Sequence, residues 1–149
     1  MSTTPNSIVT PQGFLVAPVS LAAVTACATR APTSVVSAAG ANIFQVPATV
    51  TTNGCRIDRV YAKGASSSIS AATVAQTITI WVSDGTTLWP FDELTVTATT
   101  PSTTVPSFQV FNTYTGLILP STHSLWVSTA VTTTAATTAL AVVATGATY

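Results

Sequence analysis

The chain has 149 residues, of which 47% are hydrophobic and 5% charged, and its four basic and four acidic side chains give zero formal net charge. This length fits one domain that can bury its own core. The few scattered basic residues argue against nucleic-acid binding, which needs clustered Lys and Arg. Because soluble domains usually carry about 25% charged residues, we expect other subunits to cover much of this surface.

The chain begins with a proline-rich segment, residues 1–18, that we predict to be an extended N-terminal arm. Proline fixes φ and removes a backbone donor, so the arm is not expected at a central position of a sheet. Its apolar side chains can instead contact a neighbouring subunit. The candidate assembly contacts in the arm are Ile8, Val9, Phe14 and Leu15. The rest of the chain, residues 19–149, is predicted to be a single domain.

The apolar segment 14–28 is shorter than the ~20 residues that a membrane-spanning helix needs. No Lys or Arg precedes this segment, so it also lacks the basic start of an export signal. We therefore expect no association with a membrane. The β-branched residues favour a first strand over 19–29, although the Ala and Leu content also suits a helix.

Two predicted strands flank the pair Asn53–Gly54, which is a favoured tight turn. The first strand lies within 42–52 and is bent or split by a proline. In the second strand, Ile57 and Tyr61 share one face while Val60 falls on the opposite face. Either a β-bulge shifts the phase or both faces are partly covered.

A hairpin is the most clearly predicted element of the chain. Residues 77–82 alternate between apolar and mostly polar side chains, as a half-buried strand requires. The pair Asp84–Gly85 follows and favours a primed turn with positive φ at both residues. The returning strand lies within 86–96, where Pro90 confines part of it to an edge or a bend. The side chains expected to face the core are Ile78, Ile80 and Val82.

The remaining pattern continues with short strands and turns. A polar loop is predicted over 97–106, a long strand or strand pair over 107–119, and further strands over 125–128 and 140–144. Many short strands without a convincing amphipathic helix indicate an all-β fold. We predict an antiparallel β-sandwich, with a jelly roll as one form of it and a closed barrel as the alternative.

The sequence contains no recognisable reaction centre. His123 is the only histidine, and Cys27 and Cys55 lack C-x-x-C spacing, so no metal site is expected. We expect both cysteines as buried thiols, with a disulfide between them left open. Asp92 and Glu93 are neighbours on a predicted strand and should point apart. We expect neither catalysis nor a cofactor.

Three more candidate assembly contacts lie in the central segment, namely Arg56, Arg59 and Trp89. Arginine is common at interfaces, although local ion pairs would also account for these residues. The tryptophans of a β-rich chain usually belong to the core or to an interface, whereas stacking on sugars is the rarer use.

Four segments of the chain together resemble small structural proteins of tailed-bacteriophage virions. They are STTPNSIVTPQ at the start, GCRIDRVYAKG in the centre, the hairpin QTITIWVSDGTTLWPFDEL, and LILPSTHSLWVST near the end. The resemblance extends from Thr4 to Ala130. Its motifs describe turns and core alternation rather than an active site.

The resemblance implies a compact β-sandwich that acts as a capsid decoration or cement protein, binding and stabilising the phage head. It implies the major capsid protein or other virion subunits as partners, and self-association with a trimer as the preferred count. The expected location is the virion, assembled in the host cytoplasm. Two alternatives stay open: a tail or baseplate component, and a carbohydrate-binding or receptor-binding module of the virion. This chain carries less charge than that family, which leaves its position on the particle open.

Overall fold

The computed structural model describes residues 13–35, 42–46, 54–136 and 138–149. Within these ranges the regular elements are β-strands, which confirms the predicted all-β class. They are β1 (Gly13–Leu21), β2 (Thr33–Ser34), β3 (Ile43–Gln45), β4 (Cys55–Gly64), β5 (Gln76–Ser83), β6 (Thr87–Val96), β7 (Gln109–Leu119), β8 (Ser124–Thr129) and β9 (Leu140–Thr148).

The strands form two antiparallel sheets. Sheet A has the order β1-β9-β4-β7, and sheet B has the order β2-β6-β5-β8-β3. Buried side chains from both sheets belong to one hydrophobic cluster, so the inner faces pack against each other as in a β-sandwich. The predicted antiparallel sandwich is therefore confirmed.

Four of the strand pairings are nested, and the innermost of them is the hairpin between β5 and β6. Moving outward along the chain, β4 pairs with β7, β3 pairs with β8, and β1 pairs with β9. Each pair encloses the one before it in the sequence. These four pairs follow the order of one folded antiparallel ribbon, whose closed end is the turn after β5, while β2 lies outside this order and pairs with β6.

The predicted hairpin at Asp84–Gly85 is confirmed, but its turn differs from the primed type. The connection covers residues 84–86, and only Gly85 has a positive φ, of 98°. The carboxylate of Asp84 accepts hydrogen bonds from the backbone N–H groups of Thr86 and Thr87, at 2.9 and 2.8 Å. These bonds hold the turn through the side chain, so Asp84 itself needs no positive φ.

A β-bulge explains the irregular alternation in β4. The register against both neighbouring strands shifts between Ile57 and Arg59. Ile57 and Val60 consequently both face the core, although they are three residues apart, and both are fully buried. Of the two predicted explanations, the bulge is the correct one.

Strand β5 is covered on both faces, so the prediction of a half-buried strand was wrong. Ile78 and Ile80 are fully buried in the main core as predicted, and Val82 packs against that core while partly buried. The opposite face carries Trp81, which is also fully buried. Trp81 belongs to a second cluster with Ile43, Leu88 and Trp126, against which Cys27 and Val35 pack.

The first strand lies earlier in the chain than the sequence predicted. Strand β1 begins at Gly13, inside the segment assigned to the arm, and ends at Leu21 instead of extending to residue 29. It occupies an edge of sheet A, where Pro18 is tolerated because the outer side of the strand needs no donor. The predicted arm residues 1–12 lie outside the described residues.

Candidate assembly surface

The outer face of sheet A is built from four strands whose register brings distant residues into cross-strand rows. Because side chains alternate along a strand, every second row faces away from the core. The outward rows are Phe14, Ala147, Arg56 and Ile118; then Val16, Thr145, Arg59 and Thr113; then Pro18, Val143, Tyr61 and Phe111; and then Ser20, Ala141, Lys63 and Gln109.

This face carries a concentration of exposed apolar side chains. Phe14 is 98% exposed, Val16 65%, Ile118 56% and Phe111 52%. They are four of the nine large hydrophobic side chains that are exposed in the described part of the chain. Phe14 and Val16 lie on one edge strand of the sheet and Phe111 and Ile118 on the other. Exposed apolar side chains gathered on one face commonly mark a site of protein contact.

Basic side chains line the same face along β4. The Arg56 Nε and the Asp58 Oδ1 lie 2.7 Å apart, and this hydrogen bond is the main cause that raises the pKa of Arg56. The guanidinium carbon of Arg59 lies 5.0 Å from the centre of the Phe111 ring, a cation–π contact. Lys63 follows on the same side of the strand. Basic charge and apolar surface therefore occur together on this face.

A second exposed region lies on the β5–β6 hairpin, and we call it the hairpin surface: Asp84, Trp89, Phe91 and the partly buried Asp92. Trp89 is 51% exposed, and its Nε1 donates to the Asp84 carboxylate at 3.3 Å. Phe91 is 46% exposed and lies at a β-bulge, with its ring centre 5.6 Å from that of Tyr114. This region combines acidic side chains with exposed aromatic rings.

Asp92 and Glu93 point apart, as predicted, but they have different surroundings. Asp92 is partly buried and accepts hydrogen bonds from Tyr114 and Asn112, both on β7. Glu93 forms an ion pair with Arg30, which lies in the segment between β1 and β2. Asp92 thus links the two sheets, because the inward face of β7 lies opposite it.

The predicted contact residues are distributed over several environments. Phe14, Arg56 and Arg59 lie together on the outer face of sheet A, whereas Trp89 belongs to the hairpin surface. Leu15 is only 4% exposed, so it packs in the core and offers no contact from the folded domain. The physical reason is the alternation of β1, which turns Leu15 inward when Phe14 points outward. Ile8 and Val9 lie outside the described residues.

Strand β7 also contributes to this surface, which was not predicted from the sequence. Phe111 and Ile118 point outward from an edge strand. Their alternation with Val110 and Leu119 was a readable signal, but alternation alone does not say which face is covered. Val16, an apolar residue of the predicted arm, also points outward.

The single histidine lies at a turn, and the two cysteines occupy buried and half-buried positions. His123 lies after a turn in which its backbone N–H donates to the Pro120 carbonyl. Cys27 and Cys55 are free thiols; Cys55 is buried, and burial raises its pKa, while Cys27 is half-buried. Among the residues that the structure describes, no group of three or more His, Cys, Asp or Glu is placed to hold a metal ion. A cleft of about 300 Å³ between loops 65–75 and 97–108 is lined by apolar side chains, among them Ile69 and Val105, together with several serines and Lys63.

No helix in the described ranges is long and apolar enough to cross a membrane. Comparison with models of protein families found no family that matches this chain. Comparison with curated proteins likewise found no match.

Proposed function

We propose that the protein is a non-enzymatic structural subunit of a phage virion, a capsid decoration or cement protein that binds and stabilises the head. The observation that carries this proposal is the exposed apolar face of sheet A, in a chain with only 5% charged residues. Fully burying one large apolar side chain contributes roughly 1.5 to 3 kcal/mol. Covering Phe14, Val16, Phe111 and Ile118 with a neighbouring subunit therefore supplies a driving force for assembly.

The nested strand pairing supports a jelly roll as the finer description of the sandwich. In a jelly roll, one antiparallel ribbon is wrapped so that successive strand pairs alternate between two sheets. Here β5 and β6 lie in sheet B, β4 and β7 in sheet A, β3 and β8 in sheet B, and β1 and β9 in sheet A. Jelly rolls are common in viral capsid and lectin domains. Fold alone does not assign function, so this order adds to the surface argument and does not replace it.

The partners we propose are the major capsid protein and neighbouring virion subunits, with the virion as the location. The outer face of sheet A contacts a neighbouring subunit, and residues 1–12 add apolar side chains that can bind the major capsid protein. Repetition of such contacts over a lattice increases the overall affinity by avidity. On the basis of the resemblance, a trimer remains the preferred oligomeric state.

Copy number in purified virions tests the proposal. Quantitative mass spectrometry of whole particles should give a copy number that scales with the number of capsid subunits. A few copies per particle would assign the protein to the tail or baseplate instead. Absence from purified particles would contradict the virion role altogether.

One observation favours a second candidate, a carbohydrate-binding or receptor-binding module. The indole of Trp89 is half-exposed beside the Asp84 carboxylate, and an exposed aromatic ring next to a hydrogen-bond acceptor can hold a sugar. Binding to a glycan array that is lost in Trp89→Ala would support this function. An array without signal for the unmodified protein would count against it.

A further inference from the structure

The formal charges of the chain are separated between two surfaces. Sheet A carries Arg56, Arg59 and Lys63 with one acid, Asp58, giving a net formal charge of +2 on β4. The opposite charge lies on the β5–β6 hairpin, where Asp84, Asp92 and Glu93 are accompanied by Arg30, giving −2. All eight charged side chains belong to these two groups. The zero net charge of the chain is therefore the sum of two opposite local charges. Glu93 and Arg30 neutralise each other and lie away from Asp92, so the charge of −2 on the hairpin surface comes from Asp84 and Asp92.

One basic and one acidic side chain of each group form an ion pair with each other. Arg56 pairs with Asp58 on sheet A, and Arg30 pairs with Glu93 beside the hairpin. Within the described residues, Arg59 and Lys63 have no carboxylate in ion-pair range, and neither Asp84 nor Asp92 has a basic partner. The excess charge of each surface thus comes from side chains without an oppositely charged partner, and Asp84 and Asp92 accept hydrogen bonds only from neutral donors of the same chain.

Both surfaces also carry exposed apolar area next to these charges. The outer face of sheet A has Phe14, Val16, Phe111 and Ile118, and the hairpin surface has Trp89 and Phe91. Buried aromatic anchors beside complementary charges are the usual composition of a specific interface. Each surface therefore offers apolar contacts together with the charge opposite to that of the other surface.

We propose that the protein self-associates by packing the outer face of sheet A of one copy against the β5–β6 hairpin surface of a second copy. Contact between two sheet A faces would bring like charges of +2 together, and contact between two hairpin surfaces would bring charges of −2 together. Like charges across an interface are unfavourable, so only the mixed contact is electrostatically complementary. The two patches in this contact are different, which makes it heterologous in type.

This inference deepens the proposed assembly role, because it names a second copy of the chain as the partner of sheet A. It rests on the proposed function only in taking the outer face of sheet A as a contact surface. The test below needs no virion, so its result is independent of the copy-number measurement. A chain can fail to self-associate and still be found on particles, or the reverse.

The experiment compares two double variants by sedimentation velocity at micromolar concentration. The sheet A variant is Arg59→Glu with Lys63→Glu, two exposed positions on β4. The hairpin variant is Asp84→Asn with Trp89→Lys, in which the asparagine oxygen can still accept the turn hydrogen bonds. The control is Val105→Lys, an exposed apolar position in a loop outside both surfaces. Thermal melting followed by circular dichroism verifies that each variant is folded.

The unmodified protein should self-associate, and about 0.5 M salt should weaken that association because it screens exposed charges. Each double variant should weaken association about tenfold or more, as expected for loss of central contacts. An equimolar mixture of the two variants should recover a complex, because one supplies an intact sheet A face and the other an intact hairpin. Val105→Lys should associate like the unmodified protein.

Several results would overturn the proposal. A monomeric unmodified protein would exclude self-association under these conditions. Normal association of the folded hairpin variant would indicate contact between two sheet A faces instead. A mixture of the two variants that remains monomeric, or equal loss of association in Val105→Lys, would show that the loss is not specific to the paired surfaces.

Discussion

The hydroxyl of Tyr114 donates a 2.7 Å hydrogen bond to the Asp92 carboxylate and so connects β7 of sheet A with β6 of sheet B. The side-chain amide of Asn112 donates to the same carboxylate oxygen, also at 2.7 Å. Both donors come from the inward side of β7, which is an edge strand. A charged acceptor thus joins the two sheets at one side of the sandwich.

Removing the hydroxyl of Tyr114 should destabilise the domain. A hydrogen bond to a charged group is worth about 1.5 to 3 kcal/mol, and partial exposure of Asp92 reduces this, so we expect Tyr114→Phe to lose about 1 kcal/mol of unfolding free energy. Urea denaturation measures the loss. Tyr61→Phe is the matched control, since the Tyr61 hydroxyl makes no hydrogen bond among the described residues; an equal loss in both variants would contradict the role of the link.

Acid should destabilise the domain through Asp92 and Asp84. Burial raises the pKa of Asp92, but hydrogen bonds from Tyr114, Asn112 and the Glu93 N–H outweigh it, so the folded pKa is lowered. Backbone bonds from Thr87 and Thr86 lower the pKa of Asp84 as well.

A carboxylate whose pKa is lowered in the folded state stabilises that state fully above the unfolded pKa of about 3.9. This stabilisation is lost as the pH falls through the folded pKa. The melting temperature should therefore decrease as the pH is lowered below about 4. The melting temperature of Asp92→Asn should decrease less over the same pH range. An identical acid profile for that variant would rule out a contribution from Asp92.

Ile80→Asp should prevent folding. Ile80 is fully buried on the central strand of sheet B, and an unpaired buried charge costs several kcal/mol. The control is Thr95→Asp, an exposed position on the neighbouring strand β6. Soluble expression and circular dichroism measure the outcome. A cooperative Ile80→Asp variant with unchanged melting would contradict the register of β5.

Gly146→Ala should destabilise the domain because there is no room for a methyl group. A Cβ at this position would lie 1.8 Å from the backbone oxygen of Arg56, next to the bulge in β4. Relieving this overlap requires movement of the backbone, with an expected cost of about 1 to 3 kcal/mol. Gly13→Ala is the control, because its Cβ would meet only the Thr148 hydroxyl at 3.4 Å. Equal melting temperatures for the two variants would contradict this tight contact.

Deleting residues 1–12 should leave the sandwich folded, since β1 begins at Gly13. If these residues bind the capsid, the shortened protein should show lower occupancy on particles, and those particles should lose heat resistance. Occupancy is measured by mass spectrometry after incubation of the protein with particles that lack it. Full occupancy and equal protection would assign particle binding to the sandwich itself.

The sequence by itself determined the local features of this protein. Alternation around Ile80 and the pair Asp84–Gly85 predicted the central hairpin, and the broken alternation between Ile57 and Val60 predicted the bulge as one of two explanations. These signals are local because side-chain direction and turn geometry depend on neighbouring residues. The scarcity of charge, likewise, was visible without a structure.

Only the tertiary structure decided which faces are covered. Alternation required Phe14 and Leu15 to point oppositely, but the pairing of β1 with β9 and the position of sheet B turned Leu15 inward. Trp81 lies on the face of β5 that the alternation predicted to point away from the core, yet a second apolar cluster buries it. The outer face of sheet A joins Phe14, Arg59 and Phe111 from strands far apart in sequence. Such a surface depends on strand pairing across long separations, which local patterns do not encode.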